Sequence, residues 1–253
     1  MLKSVKIAAL GAAAVLGSAV SADASAISFN FTNTSSGMAS TDVAGVAGAR
    51  VGNWNNVGVG STSTAVVLST VINSAGSTVA GASMTFTPPG AGALPGAASA
   101  TNDARMFSNF YDQFGGTASQ VQVTNIPYAQ YDVVFYRFGT ETNATGRGGQ
   151  FTIGSENRFI RGGLANPAAD GTGYVESTAT VNAAGATQQG NYVRFYGLTS
   201  PTLNASFTGA PITDTVIRNK VVGFQIVEVP EPGTLGVAGL AAAGLLARRR
   251  RGS

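Results

Sequence analysis

YDVVFYRF, residues 131–138, is the stretch that decides the fold class. Tyr131, Val133, Phe135 and Arg137 share one parity, and Asp132, Val134, Tyr136 and Phe138 share the other. Apolar and aromatic side chains therefore stand on both faces, as expected of a central strand covered from both sides. Upstream, VQVTNI at 121–126 sets Val121 and Val123 on one side. ISFNF at 27–31 alternates Ile27, Phe29 and Phe31 with Ser28 and Asn30, the pattern of a half-buried strand. Downstream, QFTI, NYVRFYGL, LNASFTG and KVVGFQIV continue the series. The last of these sets Val222, Phe224 and Ile226 against Val221, Gly223 and Gln225. STAVVLSTVI at 63–72 fits two periods, but its β-branched content favours strand.

Between these runs lie PPGAGALPG, TNATGRGG, GGLANPAADGTG and NAAGATQQG, all turn or loop chemistry. No long amphipathic helical period interrupts them, and no fixed repeat marks a propeller or solenoid. The expected fold is all-β, an antiparallel β-sandwich of the jelly-roll kind spanning residues 27–228. Its first strand, ISFNF, and its last, KVVGFQIV, are expected to be neighbours, since domain termini tend to lie together.

The chain has 253 residues, with neither cysteine nor histidine. That composition excludes disulfides, thiolate or imidazole metal sites, and every nucleophile activated by histidine. The formal charge of +3 belongs to the ends. With Lys3, Lys6 and Arg248 to Arg251 set aside, nine basic residues remain, against 11 acidic ones once Asp23 is also set aside. A slightly acidic body has no basic stripe for nucleic acid, so that class of partner is not expected.

The two ends read as addresses. MLKSVKIAALGAAAVLGSAVSADASA, residues 1–26, has the order of a secretory signal peptide: Lys3 and Lys6, an apolar run from Ile7 to Val20, then small residues. Ala22-Asp23-Ala24 and Ala24-Ser25-Ala26 both offer Ala-x-Ala cleavage sites, so Ala24 and Ala26 are the candidate cleavage residues, with cleavage after Ala26 expected. The competing reading is a short buried helix. At the other end, residues 233–247 are uncharged and apolar or small. As a helix they would reach about 22 Å against a hydrocarbon core of about 30 Å, a thin transmembrane helix helped by tilt and by arginines snorkelling toward the headgroups. Arg248, Arg249, Arg250 and Arg251 would stay on the cytoplasmic side, placing the body outside the inner membrane.

Val229-Pro230-Glu231-Pro232, a short apolar helix and a terminal arginine run, in that order, closely resemble the PEP-CTERM sorting signal. The resemblance covers residues 229–253. It implies recognition and cleavage by an exosortase, a membrane-embedded enzyme like a thiol transpeptidase, in Gram-negative bacteria that make exopolysaccharide. It further implies Sec-type export, a transient inner-membrane anchor, and delivery to the cell envelope, cell surface or extracellular matrix. A plain single-span anchor is the alternative. The two prolines suit a recognition element, since they stop the helix and hold the strand extended outside the bilayer. The body in turn resembles secreted sandwiches that accompany this signal. The likeness is carried by VGNWNN at 51–56, MFSNFYD at 106–112, residues 121–139, NYVRFYGL at 191–198 and NKVVGFQIV at 219–227. It implies a galactose-binding-like or carbohydrate-binding jelly roll.

Chemistry is sparse. A glycosidase needs two carboxylates about 5–9.5 Å apart. The candidates Asp42, Asp103, Asp112, Asp132, Glu141, Glu156, Asp170, Glu176, Asp214 and Glu228 are scattered. No enzymatic activity and no cofactor are expected. Asn102, Asp103, Asp112 and Asp170 carry oxygen ligands suited to calcium but form no alternating acidic loop, so turn formation is the preferred reading and no metal is assigned. Sugar binding needs exposed aromatic faces beside polar groups. Trp54, within NWNN, is the candidate platform, with Tyr136 and Arg147 as further glycan contacts and Arg137, Arg194 and Tyr196 along a face or rim. Core packing of Trp54 and the tyrosines is the competing reading. The expected function is an exported surface or matrix protein, structural or weakly carbohydrate-associated. A dedicated glycan receptor is the alternative, and a polysaccharide-degrading enzyme is third.

Overall fold

A computed structural model describes residues 25–32, 37–59, 64–89, 100–139 and 147–230. In chain order the elements are β1 (Ala26–Thr32), β2 (Asn55–Gly58), β3 (Val66–Leu68), β4 (Ser83–Thr87), α1 (Asn102–Ser108), β5 (Tyr111–Phe114), β6 (Ser119–Thr124), β7 (Tyr131–Arg137), β8 (Gly148–Ile153), β9 (Glu156–Arg161), β10 (Tyr192–Leu198), β11 (Leu203–Gly209) and β12 (Arg218–Glu228). They form two six-stranded sheets. The first runs β10-β7-β12-β1-β2, with β5 also paired to β12. The second runs β3-β4-β6-β11-β8-β9. Residues 1–24 of the expected leader at 1–26 and the apolar run at 233–247 lie outside the described residues. Among the described residues, no helix is long and apolar enough to cross a membrane.

The inner faces pack against each other through phenylalanine. Phe31 of the first sheet meets Phe86 of the second at 4.7 Å between ring centroids, and Phe135 meets Phe151 at 5.0 Å. Period-2 alternation produces this core: Ile27, Phe29 and Phe31 from β1, Val133 and Phe135 from β7, Val121 and Val123 from β6, and Ala205 and Phe207 from β11. Gln120 and Gln122, on the opposite parity of β6, face solvent.

The first sheet is buried on its other face too. A layer built from residues 38–54, α1 and Tyr174 covers it, with Met38, Trp54, Met106, Phe107, Val134, Tyr136, Val222 and Val227 in one apolar cluster. This explains why all seven residues of β7 are buried, as the two-faced pattern of YDVVFYRF requires. It also corrects the reading of β1 as half-buried: Ser28 and Asn30 are buried as well. Asn30 earns its place there by donating from Nδ2 to the Val222 carbonyl at 3.1 Å and the Met106 carbonyl at 3.3 Å.

Three further departures have physical causes. β1 pairs antiparallel with β12, as expected of neighbouring termini, but parallel with β2, because residues 37–54 cross the outer face before β2 begins. In β12 the register slips between Val221 and Gly223. That bulge puts Val221, rather than Val222, on the inner face with Phe224 and Ile226, and sends Val222 to the outer cluster. Finally, residues 102–108 form a seven-residue helix, too short to show a helical period in the sequence.

Candidate functional site

Two regions bear on function: the pole where the chain enters and leaves the sandwich, and the outer surface of the first sheet. At the pole, β1 and β12 run side by side, and Ala26 is paired with Val227. The Glu228 N–H donates to the Ser25 carbonyl at 2.8 Å, and the Val229 N–H to the Gln130 carbonyl at 3.0 Å. The Ser25 hydroxyl shares a 3.0 Å hydrogen bond with the Tyr128 hydroxyl. Burial pushes the Tyr128 hydroxyl pKa up, an effect that the bond to Ser25 partly offsets. Of the sorting motif, Val229 is thus held by the fold and Pro230 is exposed immediately beyond it. Glu231, Pro232 and the arginines 248–251 lie outside the described residues, as does Ala24. Ala26 is the first residue of β1 and is fully buried. Beside this pole, a cleft of about 290 Å³ is lined by Tyr131, Ile153, Leu198, Ser200, Leu203 and Asn204 among others, with no charged side chain.

The residues expected for glycan contact share no exposed face. Trp54 is only 4% exposed; its indole N–H donates to the Val51 carbonyl at 3.0 Å and its ring lies 6.3 Å from that of Tyr136. Tyr136 is fully buried and donates its hydroxyl to Gln225. Burial drives its pKa far up, so it stays neutral. Both are therefore corrected to packing residues with no face for a sugar. The asparagines around Trp54 are backbone brackets. Asn55 donates to the Ser28 and Ile72 carbonyls, Asn56 grips both backbone groups of Met38, and Asn53 reaches the Ser74 carbonyl. Arg147 is a strut between loops, donating to Asp214 at 2.7 Å. The Val216 N–H and then Arg147 hold the Asp214 carboxyl below its ordinary range.

Eight of the candidate carboxylates are engaged where they stand, and Glu141 lies outside the described residues. Asp42, Asp103, Asp112, Asp132, Glu156 and Asp214 each face an arginine. The calcium candidates are held by such contacts. Asp103 is fully buried, paired with Arg50, and accepts from the Tyr174 hydroxyl at 2.6 Å and the Gly45 N–H at 2.9 Å. Asn102 accepts from the Val43 N–H, Asp112 is bound by Arg218, and Asp170 caps its own turn through Thr172. Among the described residues, no group of three acidic side chains gathers as a metal would require.

One polar aromatic cluster does face outward. On β10, Val193 and Phe195 point into the core, so Tyr192, Arg194 and Tyr196 share the outer face. Tyr196 is 56% exposed. Its hydroxyl donates to Glu176 at 3.1 Å, and that of Tyr192 to the other Glu176 oxygen at 3.3 Å. The Arg194 guanidinium lies 5.3 Å from the Tyr196 ring centroid and pairs with Asp132 at 2.8 Å. Burial, then the Glu176 charge, pushes the Tyr192 hydroxyl up to about 12. Strand parity makes the Tyr192, Arg194 and Tyr196 triplet legible in YVRFYGL. Glu176 and Asp132 join it from distant parts of the sequence.

Residues 228–251 match the model of the PEP-CTERM protein-sorting motif, beginning at the last residue of β12. No curated protein and no solved structure shows a significant match to the chain.

Proposed function

We propose that this chain is an exported, exosortase-sorted protein of the cell surface or extracellular matrix, whose sandwich is a non-catalytic body, structural or weakly carbohydrate-associated. One observation carries the reading: the sorting motif at 228–251 follows the sandwich with no linker. A Sec-type signal peptide at 1–26 starts export. The segment 233–247 holds the chain transiently in the inner membrane, with Arg248 to Arg251 inside, and exosortase then removes the tail. The jelly-roll, galactose-binding-like description of the body rests on its two facing, largely antiparallel sheets and on the sequence likeness. Cell fractionation with and without exosortase tests the reading. The full-length tail should stay in the membrane fraction without the enzyme and be absent from surface or matrix protein with it. An intact Arg251 on surface-localised protein from normal cells would reject processing in favour of a plain anchor.

A second reading, a dedicated glycan receptor, is supported by the exposed Tyr196 ring beside Arg194 and Glu176. An aromatic face bordered by charged hydrogen-bonding groups suits a pyranose. A glycan array with the exported protein and its Tyr196→Ala variant tests it. Binding lost in the variant supports the receptor, and no binding by either form leaves the structural role.

A further inference from the structure

We propose that the mouth between the two sheets, at the pole where β7 begins and β10 ends, is a binding site for a neutral hexopyranose. The proposal rests on the carbohydrate-associated reading above and gives that reading a place and a sugar class.

The mouth is built from strand ends. Tyr131, the first residue of β7, and Leu198, the last of β10, bound one cleft with Ile153, the last of β8, and Leu203, the first of β11. Tyr131 and Leu203 are buried, but Ile153 and Leu198 are only partly covered, so the core stays open here in a cleft of about 290 Å³. A bulge shapes one wall. The register of β10 on β7 slips between Phe195 and Leu198, and Gly197 within the slip takes a φ of 67°, which glycine adopts without strain. The slip turns Leu198, rather than Gly197, toward the core. The Gly197 N–H donates to the Asp132 carboxylate at 2.8 Å, which fixes the bulge. The rim is fixed as well. The Tyr131 hydroxyl donates to the Ser200 carbonyl at 2.8 Å, and the Ile126 N–H to the Pro201 carbonyl at 2.9 Å. The turn between β10 and β11 is thus held at two points before any ligand arrives.

The lining selects the ligand. At about 290 Å³ the cleft lies at the small end of ligand sites, roughly 300–1,000 Å³, which suits one ring rather than a chain. Its floor is apolar, Thr199, Ser200 and Thr202 stand on its rim, and none of its lining residues is charged. The Ser200 hydroxyl is engaged by the Thr202 backbone, whereas the Thr199 and Thr202 hydroxyls bond no other described residue. A pyranose matches both surfaces. Its C–H groups lie on Ile153, Leu198 and the Tyr131 ring, and its hydroxyls meet the two threonines. A purely apolar ring would bury those threonine hydroxyls without partners, and an acidic sugar would bring a carboxylate into a cleft with no cation.

Amide-shift mapping on the isotope-labelled exported protein tests the site, with the methyl glycosides of galactose, glucose and mannose and with methyl glucuronide as probes. Saturable shifts at Tyr131, Ile153 and residues 197–203 are expected with at least one neutral glycoside, and the glucuronide should bind about tenfold more weakly or worse. Shifts at Tyr192, Tyr196 and Glu176 instead would overturn this site while keeping the glycan-receptor reading. No shift with any probe would overturn both the site and the carbohydrate-associated reading, leaving the structural role. A glucuronide that binds as tightly as the neutral glycosides would overturn the sugar class. Thr199→Val combined with Thr202→Val should weaken binding about tenfold, the worth of two exposed hydrogen bonds, and leave shifts elsewhere in the protein unchanged. Undiminished binding by that variant would overturn the site.

Discussion

Asp103 shows how a single side chain holds the outer layer in place. It sits on α1, fully buried, and joins Arg50 and the Gly45 N–H of one covering segment to the Tyr174 hydroxyl of another. Asp103→Ala should cost about 3 kcal/mol, the lower end for a broken buried pair because Arg50 can still reach solvent. Urea unfolding measures this, and Asp103→Asn, which retains an acceptor for Gly45, should cost less. The tyrosines give a pH signature. Tyr136 and Tyr174 are pushed up by burial, and Tyr192 up to about 12. Unfolded tyrosine ionises near pH 10. Above that pH the unfolded chain sheds protons that the folded chain keeps, so stability is fully present below about pH 10 and falls as pH rises toward 12. Urea midpoints taken between about pH 8 and 11 should stay level and then drop. At this scale the sequence was least legible. NWNN has the composition of a sugar platform, and nothing local says that its asparagines bracket backbone while its tryptophan faces inward.

Among the elements, β12 carries the most. It pairs with β1, β7 and β5, and its bulge lets one strand serve two cores. Gly223 permits the close approach: a Cβ there would fall 2.1 Å from the Phe29 carbonyl oxygen. Gly223→Ala should destabilise by about 3 kcal/mol, at the upper end for overpacking because backbone cannot step aside as a side chain can. Amide exchange should show the loss concentrated in β1 and β12. The strands themselves were readable, since alternation places Phe29, Val123, Phe135 and Phe207 on the inner face. What escaped was whatever period 2 does not encode: the bulge, the parallel partner of β1, and the coat over Ser28 and Asn30. That coat is irregular backbone, and its apolar residues, Met38, Val46, Val51 and Trp54, follow no fixed spacing.

For the whole molecule, the decisive feature is that the first strand lies between β12 and β2. A chain stopped after Pro230 keeps every described strand and should melt at the same temperature as the body of the full-length protein. A chain stopped after Ile217 loses the neighbour of β1, β5 and β7 together, and should show neither a cooperative melt nor resistance to protease. Contacts spanning nearly the full sequence also make for slow closure, in milliseconds to seconds, which stopped-flow refolding can read.

The adjacency of Ser25 and Glu228 reaches past stability into timing. The partner of the earliest strand is also the last strand of the body to be made, so the first sheet can close only once the chain has been synthesised through β12. A prematurely terminated chain offers proteases an unlocked thread and carries no sorting label. The same few residues that complete the fold adjoin that label, so a chain that carries the label also carries the strand that closes the body.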